Sequence, residues 1–206
     1  MPVGPLGANC YLVAAGDGAD AVVIDPGGDP EKILLAAREH DVKIIKILNT
    51  HGHWDHTGAN PALSAATGAE FLIHKEDAEM IADPFINLSK AISTEGFSTE
   101  PDGVFADNEN FKVGELVVKV IHTPGHTPGS SSFLIGDNLF SGDLLFHQSV
   151  GRTDLPGSDE DKLYESIQSK ILTLPDATTV FPGHGSKTSV GWEREHNPYL
   201  AGGRQR

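Results

Sequence analysis

The chain holds a single cysteine, Cys10, so no disulfide can close within it. That excludes the small disulfide-stapled folds and fits a reducing compartment. Cys10 lies in Asn9-Cys10-Tyr11-Leu12-Val13, which reads as a buried strand, so a packed core thiol is expected rather than a nucleophile. Long apolar runs are also missing. Ala21–Ile24 and Ile44–Leu48 are strand-sized, far below the roughly 20 residues that a membrane span requires. The N-terminus, Met1 to Leu6, lacks the basic start and apolar stretch of a secretory signal, so the cytoplasm is the expected location and no membrane partner is expected. Positive charge is scarce too: 15 Lys and Arg stand against 29 Asp and Glu, for a formal net charge of −14. No cluster of Lys and Arg offers a phosphate-binding face, which argues against nucleic acid as a partner.

What remains has the composition of an ordinary globular chain, long enough at 206 residues to bury a core without staples. A single domain over 1–206 is expected, with no linker or repeat. Ala21–Ile24 reads as a strand ending in the turn Asp25-Pro26-Gly27-Gly28, and Asp29 is expected to cap a helix over Pro30–Glu39. The β-branched run Val42–Leu48 leads directly into Thr50-His51. A short helix from Asn60 to Gly68, a strand at Glu70–Ile73 and a helix at Lys75–Ala82 follow. Asp83–Val104 shows no clean period and reads as a long loop or cover near a site. The second half adds a strand at Leu116–Ile121, a hairpin of Ser130–Ile135 and Asn138–Ser141, a helix over Asp161–Leu172 capped by Asp159, and a strand at Thr178–Phe181. This alternation points to a layered α/β architecture.

Ten histidines are present, and their placement separates them. His51, His53, His56, His126 and His184 all fall in Gly-flanked turns just after expected strands, and Asp143 occupies the same kind of place. Loops beyond strand ends are where α/β structures assemble their sites. In Thr50-His51-Gly52-His53-Trp54-Asp55-His56 four potential ligands fall within the six residues from His51 to His56. In an extended segment His51 and His53 point the same way, and a turn into a helix would send Asp55 and His56 towards a neighbouring point. One motif could therefore serve two adjacent ions. Gly125, Gly142 and Gly183 each precede a further candidate and let the backbone turn tightly there. A lone His on a turn is usually a plain hydrogen-bonding residue; five His and two Asp in this pattern are a metal site. His40 and His196 read as surface residues, His74 as a brace for the backbone, His122 as a support behind a ligand, and His147 as a pocket-lining residue.

The motif His51–His56 resembles the His-X-His-X-Asp-His signature of the metallo-β-lactamase superfamily, and the match runs from Asp25-Pro26-Gly27 through His126 and Asp143 to His184. The resemblance implies an αββα sandwich, with two mixed β-sheets flanked by helices and the metals at one edge. Within the superfamily the chain is similar to the single-domain bacterial branch of glyoxalase II-like hydrolases, through Asp143, the segment from Phe146 to Gly157 and the ending Gly191 to Leu200. The C-terminal helical domain of the usual glyoxalase II has no counterpart in the 22 residues after His184. By that resemblance His51, His53 and His126 hold one metal, Asp55, His56 and His184 a second, and Asp143 bridges them.

Two divalent ions are then implied, zinc first, with iron or manganese also suited to imidazole and carboxylate ligands. The expected reaction is hydrolysis of a small acyl-thiol such as S-lactoylglutathione, with Asp55 orienting the attacking hydroxide as well as binding metal. Arg152 reads either as an anchor for a substrate carboxylate or as a salt-bridge partner of Asp154. The rival readings are a mononuclear-iron persulfide dioxygenase and a non-enzymatic metal-binding module on the same scaffold. A homodimer is expected from the habit of such relatives.

Overall fold

A computed structural model describes residues 1–201. Two mixed sheets form the middle of the molecule. The first has the order Tyr11–Ala14, Asp20–Ile24, Lys43–Leu48, Glu70–His74, Gly103–Phe105, antiparallel at its first pairing and parallel thereafter. The second has the order Thr188–Ser189, Thr179–Pro182, Asn138–Gly142, Ser131–Ile135, Leu116–His122, Asn110–Val113, with one parallel pairing, between Asn138–Gly142 and Thr179–Pro182.

The strand Asp20–Ile24 explains the layering. Its side chains alternate, and both faces are apolar, as expected of a strand covered on both sides. Val22 and Ile24 point inward to meet Leu48, Leu72, Phe105, Val118, Val120, Phe133 and Phe140 between the sheets. Val23 points outward, where Ile33 and Ala37 of the helix Pro30–Glu39 and Leu63 of the helix Asn60–Thr67 cover it. On the far side of the second sheet, Leu163, Ile167, Ile171 and Val190 pack over Leu139 and Val180. Helix, sheet, sheet and helix follow in that order.

Strand direction then positions the site. Asp20–Ile24, Lys43–Leu48 and Glu70–His74 are mutually parallel. In the second sheet Leu116–His122, Asn138–Gly142 and Thr179–Pro182 also share one direction, two of them through the antiparallel Ser131–Ile135 between. The segments that follow these strands carry every candidate ligand.

Four local expectations are corrected. Asp29 has φ 50° and makes no side-chain cap bond; its carboxylate instead accepts from the Gly4 amide at 3.0 Å, tying down the N-terminal hairpin. The helix expected from Lys75 begins at Ala78, because 75–77 form a turn whose Asp77 is engaged elsewhere. The segment 83–104 is not loop throughout: it contains a short 3-10 helix at Ser89–Ala91 and ends in Gly103–Phe105, the edge strand of the first sheet. The helix expected over 161–172 spans Glu160–Ser166 and widens at Ile167–Ile171, where the Leu172 amide reaches back five residues to Ile167. Asp159 does cap it, accepting from the Lys162 amide. Cys10 is fully buried, and burial pushes its thiol far above the ordinary range, so it is inert core.

Candidate metal centre

The segment after Lys43–Leu48 bends at Thr50 and His51 and leaves His53 in extended backbone, and the helical turn Trp54–Thr57 follows at once. As the spacing implied, the motif serves two points. His51, His53 and His126 bring ligand atoms within 4.8 Å of one another, and so do Asp55, His56 and His184. Asp143 touches both sets: one carboxylate oxygen lies 3.6 Å from Nε2 of His126, the other 3.5 Å from Nε2 of His56. All seven residues expected from the sequence therefore meet in one place.

Hydrogen bonds behind the rings set which nitrogen faces the centre. Thr50 gives its hydroxyl proton to Asp25 at 2.6 Å, so at 3.1 Å it accepts from Nδ1 of His51. Nδ1 of His56 donates to Asp25 at 3.0 Å, and Nδ1 of His126 to the Arg152 carbonyl at 2.8 Å. In each ring Nδ1 is engaged at the back and Nε2 is turned to the centre, the arrangement by which proteins orient metal-binding imidazoles. Nε2 of His126 faces Nδ1 of His53 at 3.0 Å.

Fully buried polar atoms nearly always find a partner. Here Nε2 of His51, Nε2 of His56 and Oδ1 of Asp143 are buried with none in the protein. Two imidazole nitrogens and a carboxylate oxygen buried without a protein partner suit a cation, and no thiolate is among them. The residues present fit divalent metal: this is a metal-binding His/Asp cluster.

Electrostatics divide the two halves. Burial, then the neighbouring imidazoles, hold His51 well below its ordinary value and His53 at about 3, so both are neutral. Burial would lower His56 too, but Asp55, Asp143 and Asp25 outweigh it and raise it to about 10. His184 is raised by its hydrogen bond to Asp55 at 3.2 Å. Burial alone would raise Asp55, yet His56 and His184 keep its carboxylate far below the usual range. Carboxylates thus concentrate positive charge at the second half, where a divalent ion would displace protons.

Two glycines shape the floor. Gly142 has φ 53°, a left-handed conformation, and a side chain there would collide with Thr50. Gly183 needs no special φ, but a Cβ on it would run into the Asp143 carboxylate and come within 2.8 Å of the His56 ring.

The remaining candidates lie outside the cluster. Arg152 forms a two-pronged salt bridge with Asp154, at 2.6 and 2.7 Å, with both side chains largely exposed. His147 lies 3.4 Å from the buried Glu193 and packs on Trp192, and it belongs to neither ligand set. His122 does not back a ligand; it stacks on His74 with centroids 4.0 Å apart and donates from Nε2 to the Pro128 carbonyl. His74 braces the backbone as expected, accepting from the Glu76 amide. Sequence reasoning missed two residues. Asp25, read only as a turn former, has both oxygens committed to Thr50 and His56. Asp77 was read only as part of a helix. A lone aspartate following an apolar strand was the one signal for either.

Residues 3–184 match the model of the metallo-beta-lactamase superfamily. The chain belongs to that family. It is 35% identical to the hydroxyacylglutathione hydrolase GloC of Haemophilus influenzae, over 97% of this chain and 96% of that one. A solved structure of the B3 metallo-beta-lactamase BLEG-1 superposes with a TM-score of 0.93 at 38% identity, covering 98% of both chains. The di-iron-bound form of TTHA1623 gives a TM-score of 0.83 at 37% identity, covering 97% of this chain and 98% of that one. The expected fold is therefore correct, and the chain is of the metallo-hydrolase superfamily. Among the described residues no helix is long and apolar enough to cross a membrane.

Proposed function

We propose that this protein is a dinuclear metallo-hydrolase that cleaves a small acyl-thiol, S-lactoylglutathione or a close relative. The observation that carries the reading is Asp143, whose two oxygens reach both ligand sets at 3.5 and 3.6 Å. Likeness to GloC supports a thioester as the bond cleaved. His51, His53 and His126 would hold one ion, Asp55, His56 and His184 the other, with Asp143 between them. When bound, such cations make water acidic enough to lose a proton near neutral pH and polarise an acyl carbonyl.

The chain's own residues supply the rest. Asp55 and Asp143 are each 13% exposed and His184 32%, so the carboxylate side is the open mouth. Asp55, which would also be a ligand of the second ion, would orient the attacking water with its second oxygen. No uncommitted acid is needed for the leaving group, because a thiol with a pKa of about 8.5 departs readily as thiolate. Zinc is the first choice of metal; the di-iron form of TTHA1623 makes iron the second. The complete set Asp55, His56, His184 favours two-metal hydrolysis over one-iron oxygen chemistry.

Protein purified, stripped and reloaded with zinc or iron should release free thiol from S-lactoylglutathione, and Asp55→Ala or Asp143→Ala should abolish the release. Equal turnover in those variants would sink the mechanism. Preferential opening of a β-lactam, or oxygen uptake on glutathione persulfide with one iron per chain, would replace the thioester reading.

A further inference from the structure

Asp77 follows the strand Glu70–His74 at the start of the helix Ala78–Ala82, and it is fully buried. A helix-capping role would suit that position, but its side chain makes no cap bond. One carboxylate oxygen accepts from the Gly52 amide at 2.9 Å and from the Thr127 hydroxyl at 2.6 Å. The other accepts from the Gly129 amide at 2.6 Å. Gly52 stands between His51 and His53, and Thr127 follows His126. A single carboxylate thus ties together the two segments that provide all three histidines of the first cluster.

The fit leaves little slack. Met80 and Ile81, on the helix that Asp77 begins, abut Gly52, where a Cβ would come within 2.8 Å of the Met80 sulfur. Gly129 lies so close that a Cβ there would meet the Asp77 carboxylate at 2.7 Å. Metal affinity depends on ligand placement to within a few tenths of an ångström. Charge acts in the same direction. The first cluster offers only imidazoles besides the shared Asp143, whereas the second has Asp55 as a ligand and Asp25 behind His56. Asp77 is the buried carboxylate bonded to the segments of His53 and His126, while Asp25 reaches the first cluster only at His51, through Thr50. Among the described residues no hydrogen bond of Asp77 reaches the second, whose supports are Asp25 on His56, Asn49 on the His56 carbonyl, and Asn9 on the Pro182 and Gly185 carbonyls flanking His184.

We infer that Asp77 is a positioning residue for the first metal alone: by joining Gly52 to Thr127 and Gly129 it holds His53 and His126 at one point and sets the affinity of that site. The inference rests on the two-metal reading and is independent of the substrate.

The test is a competition titration of the metal-free full chain with zinc against a chromophoric chelator, resolving two dissociation constants. Histidine ring nitrogen NMR assigns each step to its ligands. Asp77→Asn turns an NH2 group towards an amide that now meets an oxygen. Thr127→Val removes one donor while keeping its shape, and so serves if the Asn variant folds poorly. Loss of such outer support is expected to weaken the site of His53 and His126 about tenfold or more in Asp77→Asn, less in Thr127→Val, with the other constant within about threefold of wild type. Two unchanged constants, or two that weaken together, would overturn the assignment. A wild-type chain that takes up fewer than two zinc ions would instead fail the metal reading beneath it.

Discussion

Nδ1 of His56 lies 3.0 Å from Oδ2 of Asp25, and both side chains are shut off from solvent. Asp25 is no ligand, although it lies close enough to His51 and His56 to be one. Its Oδ1 is taken by the Thr50 amide and its Oδ2 by the Thr50 hydroxyl and His56. It fixes the tautomer of His56 directly and that of His51 through Thr50. Asp25→Asn turns an NH2 group against one of these donors and removes the charge that faces the imidazole. Breaking one partner of a buried charged pair costs about 3–5 kcal/mol. The loss is expected as a lower urea midpoint, together with weakened zinc binding at His56. Wild-type stability in Asp25→Asn would show that the contact carries no weight.

Gly183→Ala tests the floor of the centre. The backbone there accepts any residue, so the effect comes from space alone: the new methyl group would displace the Asp143 carboxylate and crowd His56. Overpacking of this kind costs about 1–3 kcal/mol, which a folded chain of this size can absorb. The expected outcome is a folded protein with reduced zinc content by mass spectrometry, the ion at His56 being lost first. Two full equivalents of zinc in the variant would count against Asp143 as the shared ligand.

Much of this centre was legible in the chain because metal chemistry leaves local marks. The spacing of His51 to His56 implies a helical turn that carries Asp55 and His56, and that turn forms at Trp54–Thr57. His126, Asp143 and His184 could be found because each follows a glycine beyond an apolar strand, and parallel strand directions bring such points to one edge. Asp25 and Asp77 escaped because their roles are made by tertiary contacts. An aspartate after a strand looks the same whether it faces water in a turn or fastens two segments together. The edge strand Gly103–Phe105 escaped for a related reason: three residues carry no period, and the pairing of Ile73 with Val104 defines it. His122 was misplaced because its neighbour His126 is close in sequence, while the ring that it meets, His74, comes from the other sheet.

That His74–His122 stack makes acid stability depend on a group outside the centre. His74 is 1% exposed, lies at the end of Glu70–His74 and is held neutral down to about 4, first by burial and then by His122, Lys75 and Lys170. Asp107 opposes these, less strongly than burial, His122 or Lys75 act. In the unfolded chain the ring titrates near 6.5. Between those values the unfolded state binds the extra proton, so stability falls as pH drops through this window and is level above it. Water at the exposed Glu76 and half-buried His122 screens the effect, so at pH 5 the loss is about 1 kcal/mol relative to pH 7.5. His74→Phe keeps a ring against His122 and Phe105 and removes the titration. Urea unfolding of metal-free wild type and His74→Phe at both pH values is expected to give a smaller acid loss in the variant, by about that amount. Identical acid losses would assign the dependence to other groups, the buried imidazoles of the centre first among them.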